Sequence, residues 1–533
     1  MVLRLFLKSV PLLAAALLAG PAMAQIGHGT ATSVSVANAP RLHFTPDEMA
    51  LAEAIAGDPD LAAFYGRHGL RPVFLGESAA PRREALRRAI AEAPRHAIPS
   101  ARYAPHLLGA TEGIEAELAH ARALSRLLSD LSGGVLRPSR VDGEIKREGG
   151  GHDVPGLLAR FVESSDPAAV IASAAPDHPA YRALQQALAG RADLDIPHHL
   201  PRVPEGLWRI GMRGGDLPLM RARLEAMGLS APAAEPTLYD AELALSVQRF
   251  QEAAGLPADG IAGPQTIRAL NGETPSGQDG RQRAIAVALE RLRWMGGHDL
   301  NQRHVWVNIP EYSTTIVENG AEIFRTRSVV GKHADEMRTP EFSDMLSHIV
   351  VNPTWTVPPG MLQRTYLPKL RENRHAFPHL DVIDRRGNVV PREALDLSGG
   401  FPYRLRQKPS DDNALGIVKF IFPNPWNIYL HDTPNKSLFG NRMRAASNGC
   451  IRIGDPVDLA HQLLSRQTDD PAAMFRRARD SGREQWLTMR PAIPVHLVYF
   501  TAWPDDQGRV RLFDDVYGRD ARIWRALQDA TQG

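Results

Sequence analysis

Cys450 is the one cysteine of this 533-residue chain, and it stands in the run Ala446-Ser447-Asn448-Gly449-Cys450-Ile451-Arg452. A short loop earlier comes His431, in Tyr429-Leu430-His431-Asp432-Thr433-Pro434. A lone thiol either fills an apolar gap or is used. When an imidazole takes its proton it becomes a strong nucleophile toward carbonyl carbon. Gly449 allows a sharp turn just before the sulfur, so that backbone amides near Cys450 can face a developing oxyanion. Ser447, Asn448, Gly449 and Arg452 are therefore read as oxyanion and support residues. Residues two apart on a strand share a face, which places Arg452 beside Cys450. Its planar fork suits a substrate carboxylate, and a structural ion pair is the alternative reading. A free cysteine has a pKa of about 8.5 and needs a proton acceptor near neutrality. Asn448 cannot serve, and Asp432 should point to the face opposite His431. His431 is the expected base, with its ring expected within roughly 3 to 5 Å of the sulfur.

Strands must carry these groups. Residues 305–309 and 313–317 alternate, Asn319-Gly320 supplies a two-residue hairpin turn, and 322–330 runs back. Further strand text covers 348–352, 416–422, 427–431, 450–453 and 495–500. His431 thus ends one predicted strand and Cys450 begins another. We expect a mostly β catalytic domain over 303–500. It is interrupted at 361–402 by an insert with Pro368, Pro378, Pro391 and a Gly387-Asn388 turn. An insert of that length is usually a lid or a binding loop, and its Leu, Val and Phe content is enough to fold.

The text before residue 303 is helical. Ile114, Leu118, Ala121, Leu124 and Leu128 recur at helical spacing within an Ala-, Leu- and Arg-rich stretch, assigned as a helical scaffold over 41–215. A compact helical unit follows at 216–272, with Leu243, Val247 and Phe250 in helical spacing and turn clusters around Asp259-Gly260 and Gly263-Pro264. A connecting helix is expected over 281–302, and 501–533 is expected as a C-terminal tail. The fold class is α+β multidomain, a helical scaffold with an inserted small helical module followed by the mostly β domain. The aromatic and basic residues at Phe64-Tyr65-Gly66-Arg67 read as packing. His152 and the pair His198-His199 lack a third ligand at metal-binding spacing, so no metal and no cofactor is expected.

Arg4 and Lys8 precede an apolar run from Val10 to Leu18 and the small-residue pattern Ala22-Met23-Ala24, which is the pattern of a secretory signal peptide over 1–24, cleaved after Ala24. The apolar run is too short to span a bilayer, which takes about 20 residues. An integral membrane protein is not expected. Loss of Arg4 and Lys8 would leave equal numbers of basic and acidic side chains. With no basic stripe either, nucleic acid is not an expected partner.

The unit at 216–272 resembles the small helical peptidoglycan-binding domain through Tyr239-Asp240, Val247, Phe250-Gln251, Gly255-Leu256, Asp259-Gly260, Gly263, Thr266 and Leu270-Asn271. The cysteine motif closely resembles that of the L,D-transpeptidase family of YkuD type, here reading His431 and then Ser447-Asn448-Gly449-Cys450-Ile451-Arg452. Many members carry a second histidine where this chain has Asn448. The resemblance continues through Val330-Gly331-Lys332, Thr339-Pro340, Asn352-Pro353-Thr354-Trp355, Pro358-Pro359-Gly360 and Asn413-Ala414-Leu415-Gly416, as in the large, lidded periplasmic subtype. It implies a periplasmic enzyme acting on peptidoglycan stem peptides as donor and acceptor. Cys450 would be the nucleophile and His431 the general acid/base, with Tyr429, Trp355 and Arg452 as substrate-binding candidates. A Cys450 thioester on diaminopimelate of a tetrapeptide stem would yield 3→3 crosslinks and would also be open to carbapenems. Water, a free D-amino acid or a lipoprotein lysine as acceptor would instead give a carboxypeptidase or endopeptidase, exchange, or anchoring. The competing classes are a non-catalytic wall-binding protein and a metallopeptidase.

Overall fold

A computed structural model describes residues 44–149, 153–189, 196–197, 199–229, 232–254, 256, 258–272, 277–334 and 336–532. The signal-peptide expectation, His152 and His198 lie outside these residues. The described residues open in helices that their own side chains start: Thr45 and Glu48 form a capping box on Pro46–Ile55, and Asp58 caps Pro59–Arg67. With Ala80–Glu92, Ile114–Gly133 and Val154–Glu163 they enclose a core that includes Leu61, Phe64, Leu86, Leu124, Leu128 and Phe161. Glu117 is fully buried there and accepts from the backbone N–H groups of Val73 and Phe74 at 2.7 and 2.8 Å. The aromatic segment around Phe64 is thus packing, as its composition suggested.

Tyr181 and Leu184 of helix Pro179–Ala189 pack on Ile285, Leu289 and Leu292 of helix Gly277–Arg293. The small helical unit lies between these two helices in sequence, so it is an insertion. Its helices Leu217–Ala226, Ala241–Ala254 and Pro264–Leu270 share one core. That core also takes in Val203, and Trp208 pairs its backbone with Ala262. The unit therefore begins before residue 216, because the chain that leads into it supplies one of its edges. Helix Gly277–Arg293 stops short of the expected 302, in a turn that runs into the Gly296-Gly297 pair.

The strands of the carboxyl half are β1 (His304–Asn308), β2 (Ser313–Glu318), β3 (Ala321–Gly331), β4 (Phe342–Val351), β5 (Trp355–Thr356), β6 (Leu380–Ile383), β7 (Arg404–Gln407), β8 (Val418–Ile421), β9 (Leu430–His431), β10 (Ala445–Ser447), β11 (Ile451–Ile453), β12 (Gln485–Val498), β13 (Ala502–Pro504) and β14 (Val510–Leu512). Nine of them form one sheet in the order β10-β3-β11-β9-β8-β4-β12-β1-β2, and β2 also pairs with β3, so the sheet closes on itself. The β2–β3 turn uses Asn319 and Gly320 at φ 52° and 73°, the left-handed pair that a two-residue hairpin needs. One face of the sheet presents Phe420, Leu430, Ile451 and Ile453 to helices Pro456–Leu464 and Pro471–Asp480. Because side chains alternate, burying this set commits the intervening residues to the other face.

The insert has a sheet of its own, in the order β5-β7-β6, over a core of Trp355, Val357, Leu362, Leu370, Leu380 and Leu405. It draws on β5 and β7, just outside the expected 361–402. The expected C-terminal tail is instead folded. β13 and β14 form a hairpin, and helix Arg519–Gln532 buries Ile523 and Leu527 against Val287 and Trp294 of the preceding helical region. Fully buried Arg519 meets Glu341 at 3.1 Å, and Glu341 also pairs with Arg291 of helix Gly277–Arg293.

Candidate active site

β9 and β11 are parallel neighbours, with Leu430 opposite Ile451 and His431 opposite Arg452. On the other side of β9, His431 faces Lys419 of β8. Since Ile451, Leu430 and Phe420 are core residues, the row Arg452, His431, Lys419 lies on the opposite face of the sheet. Tyr429 and Cys450 stand two residues before His431 and Arg452 and share that face. The five side chains the chemistry requires, or that carry charge here, are brought together by register alone.

Cys450 is level with Tyr429, and His431 with Arg452. A two-residue offset between adjacent strands corresponds to about 8 Å between Cα atoms, a gap that an imidazole and a thiol leaning together can span. Each group has its own backbone partner at rest. The Cys450 Sγ–H donates to the Asn427 carbonyl at 3.6 Å, and the His431 Nδ1–H donates to the Asp432 carbonyl. The latter bond fixes the tautomer, leaving Nε2 with the lone pair a base requires. The Asp432 carboxylate is engaged elsewhere, accepting from Ile417 N at 3.0 Å and Lys436 Nζ at 2.5 Å.

His431 is buried, and its pKa falls to about 4 because burial penalises the imidazolium and the Arg452 charge adds to the penalty. Cys450 keeps some exposure as a residue, yet the protein packed around its sulfur pushes the thiol up to about 11. The Tyr429 backbone and hydroxyl, and then the charges of Arg452 and Lys419, oppose that rise. Tyr429 itself is held well above the ordinary phenol range, first by burial and then by the adjacent sulfur.

Ser447 ties the turn together, its hydroxyl donating to the Cys450 carbonyl at 2.6 Å and accepting from Gly449 N at 3.1 Å. Gly449 has φ 118°, a conformation closed to L side chains. Asn448 reaches the insert, its amide lying 3.5 Å from the Met361 sulfur. Trp355 is buried in the core of the insert, with its ring edge-on to Tyr366, and Tyr429 packs against the same core. Arg452 makes no ion pair or hydrogen bond among the described residues, and its buried Nε has no partner. The structural ion pair considered for it is therefore not formed.

Lys419 was not singled out by sequence. Its ammonium stands over the rings of Tyr429 and Trp486 at 5.4 and 6.0 Å, and burial lowers its pKa. The available signal was one charge in the apolar run Ile417-Val418-Lys419-Phe420-Ile421. Thr339 was noticed only as part of the Thr339-Pro340 pair. It is fully buried, and its hydroxyl donates to the Gly449 carbonyl at 2.7 Å.

Residues 302–475 match the family model described as the L,D-transpeptidase catalytic domain. Residues 59–188 match a "Scaffold domain" and 213–270 a "Putative peptidoglycan binding domain". A Haemophilus influenzae protein named "Putative L,D-transpeptidase" is 33% identical over 265 residues, which is 49% of this chain and 53% of that protein. The chain thus spans about half the length of that relative. Two solved L,D-transpeptidase structures, from Xylanimonas cellulosilytica and Stackebrandtia nassauensis, each align with 56% of this chain. They are 16% and 13% identical, cover 98% and 96% of their own chains, and have TM-scores of 0.16 and 0.17.

Proposed function

With an L,D-transpeptidase catalytic domain at residues 302–475 as the premise, we propose that this protein forms 3→3 crosslinks between peptidoglycan stem peptides in the periplasm. The observation that carries the reading is the shared face of thiol, neutral imidazole and two cations, of which Arg452 has no ion pair among the described residues. Cys450 Sγ attacks the diaminopimelate carbonyl of a tetrapeptide stem as its proton leaves for His431 Nε2. Values of about 11 and about 4 for the two groups mean that a free thiolate–imidazolium pair is scarcely populated. The proton therefore moves in concert with S–C bond formation, as in general-base catalysis. Collapse of the tetrahedral intermediate breaks the C–N bond, and His431 returns the proton to the departing D-Ala amine. An amine of a second stem then attacks the thioester, with His431 taking its proton, and Cys450 leaves as thiol.

Incubation of purified protein with disaccharide tetrapeptide, followed by product mass, tests this reading. Crosslinked dimer with released D-Ala supports it. Tripeptide and D-Ala without dimer would make the protein a carboxypeptidase, and loss of activity with chelator would point to a metallopeptidase. Export by the 1–24 segment is part of the proposal. No helix among the described residues is long and apolar enough to cross a membrane.

Arg452 and Lys419 are the proposed holders of a stem carboxylate. A partly buried cation is costly when unpaired; a carboxylate ligand would relieve Arg452 and add to the field that Lys419 already receives from Glu484. Arg452→Lys keeps charge but loses the fork. It is expected to raise KM for the tetrapeptide about 10-fold, and Arg452→Met or Lys419→Met by about 10- to 100-fold, from the worth of a charged hydrogen bond. Michaelis constants with the free acid and with its terminal amide check this. Equal effects on both substrates would remove the carboxylate role.

The insert is proposed as a lid, since Met361 meets Asn448 and Tyr429 joins the core of the insert. A thioester that must choose an amine over water gains from water exclusion. Replacing 361–402 with a short Gly-Ser linker is expected to lower the ratio of crosslinked to hydrolysed product by about 10-fold or more, because bulk water near 55 M competes once the cover is gone. An unchanged ratio, read by product mass, would end the lid assignment.

A further inference from the structure

The turn that delivers Cys450 is held from behind by a buried chain of hydrogen bonds that ends in the C-terminal segment. Every polar atom of Thr339 is used in it. Its hydroxyl donates to the Gly449 carbonyl at 2.7 Å and accepts from Gly331 N at 2.9 Å. Its backbone N–H donates to the Tyr517 hydroxyl at 3.3 Å, and its carbonyl accepts from Arg519 Nη2 at 3.0 Å. The Tyr517 hydroxyl in turn donates to the Gly331 carbonyl at 2.6 Å. Thr339, Tyr517 and Arg519 are all buried.

The Gly449–Cys450 peptide is trans, so its C=O and N–H point in opposite directions in one rigid plane. Anchoring the Gly449 oxygen therefore aims the Cys450 N–H the other way. Among the described residues no acceptor lies on that N–H, although neighbouring donors are all engaged: Gly449 N with the Ser447 hydroxyl at 3.1 Å and Ile451 N with the Tyr429 carbonyl at 3.1 Å. An unengaged amide on the nucleophile itself is the donor that a tetrahedral oxyanion requires. We infer that Thr339 is a positioning residue that aims the Cys450 amide at the oxyanion, and that Tyr517 and Arg519 hold Thr339 in place. The inference rests on the acyl-transfer reading of Cys450.

Two reactions of the same sulfur separate this role from general support. Alkylation by iodoacetamide occurs at saturated carbon and forms no oxyanion, whereas acylation by a carbapenem or a stem tetrapeptide passes through one. Thr339→Val keeps the shape and removes both hydroxyl bonds. It is expected to slow acylation about 100-fold, the lower range for loss of an oxyanion donor, while alkylation stays within about 3-fold, there being no oxyanion to lose. Thr339→Ser, which retains donor and acceptor, should restore acylation. Should Thr339→Val not fold, Tyr517→Phe carries the test, with a smaller loss confined to acylation. Unchanged acylation in the variant, or equal losses in both reactions, would overturn the inference. A wild-type protein that alkylates but is never acylated would instead overturn the acyl-transfer reading on which it rests.

Discussion

Cys450→Ala is expected to abolish both thioester formation and crosslinking, with turnover reduced on the order of 10⁶-fold, as when an acyl-transfer enzyme loses its nucleophile. The chain should still fold. Cys450 keeps some exposure, and its thiol makes only weak contacts, a donation to Asn427 at 3.6 Å and the approach of Tyr429, so the substitution should cost about 1 kcal/mol or less. Intact mass after carbapenem treatment is the direct measurement: an adduct on the wild type and none on the variant. An adduct that persists in Cys450→Ala would move the nucleophile elsewhere. Full crosslinking in its presence would reduce the thiol to a packing residue, the ordinary fate of a lone cysteine.

His431→Ala should lower acylation by about 10³- to 10⁴-fold, the upper range for a general base, and leave a thiol that reacts only as its own ionisation allows. The pH profile is the sharper result. The working form of His431 is the neutral one, and its pKa is depressed to about 4. Wild-type acylation should therefore persist well below the ordinary histidine range and fall only as pH drops through about 4, where the imidazole gains its proton. In His431→Ala the acid limb should disappear, and alkylation should climb with pH toward the thiol value of about 11. Second-order rates between pH 3.5 and 10 separate these cases, and a wild-type limb near the usual value for histidine, about 6.5, would mean that burial and the Arg452 charge do not depress the ring.

The parts of this site legible in the sequence are those that obey alternation. The apolar partners Leu430 and Ile451 force His431 and Arg452 to one face, so their meeting could be argued from period two alone. The same logic carried the hairpin at Asn319-Gly320 and most of the strands. What it could not carry was the two-residue offset between Cys450 and His431, because register between strands separated by a loop is set by tertiary pairing. Lys419 escaped notice because a charge within an apolar strand also reads as a solvent-facing edge position. Thr339, Tyr517 and Arg519 act through backbone carbonyls and amides, which leave no mark in side-chain pattern. The C-terminal segment looked like a tail because its short strands and single helix bury few apolar groups. Much of its attachment is polar, through Arg519, Asp520 and Arg522.

That polar attachment decides where the protein can be cut. Glu341 immediately precedes β4 and holds two guanidinium groups, one from helix Gly277–Arg293 and one from the C-terminal helix. Asp142 of the helical region grips the same C-terminal helix through Arg522 at 2.5 Å. A fragment trimmed to 302–475, the span matched by the family model, would lose β12, Arg291 and Arg519 together. It would keep Glu341 but lose both cations that balance it and the helices that cover it in the intact fold. The portion that can be inherited as a recognisable sequence is thus smaller than the portion that can exist as a folded body. Any transplantation of this catalytic domain into another protein would have to bring along a helix from before it and a helix from after it.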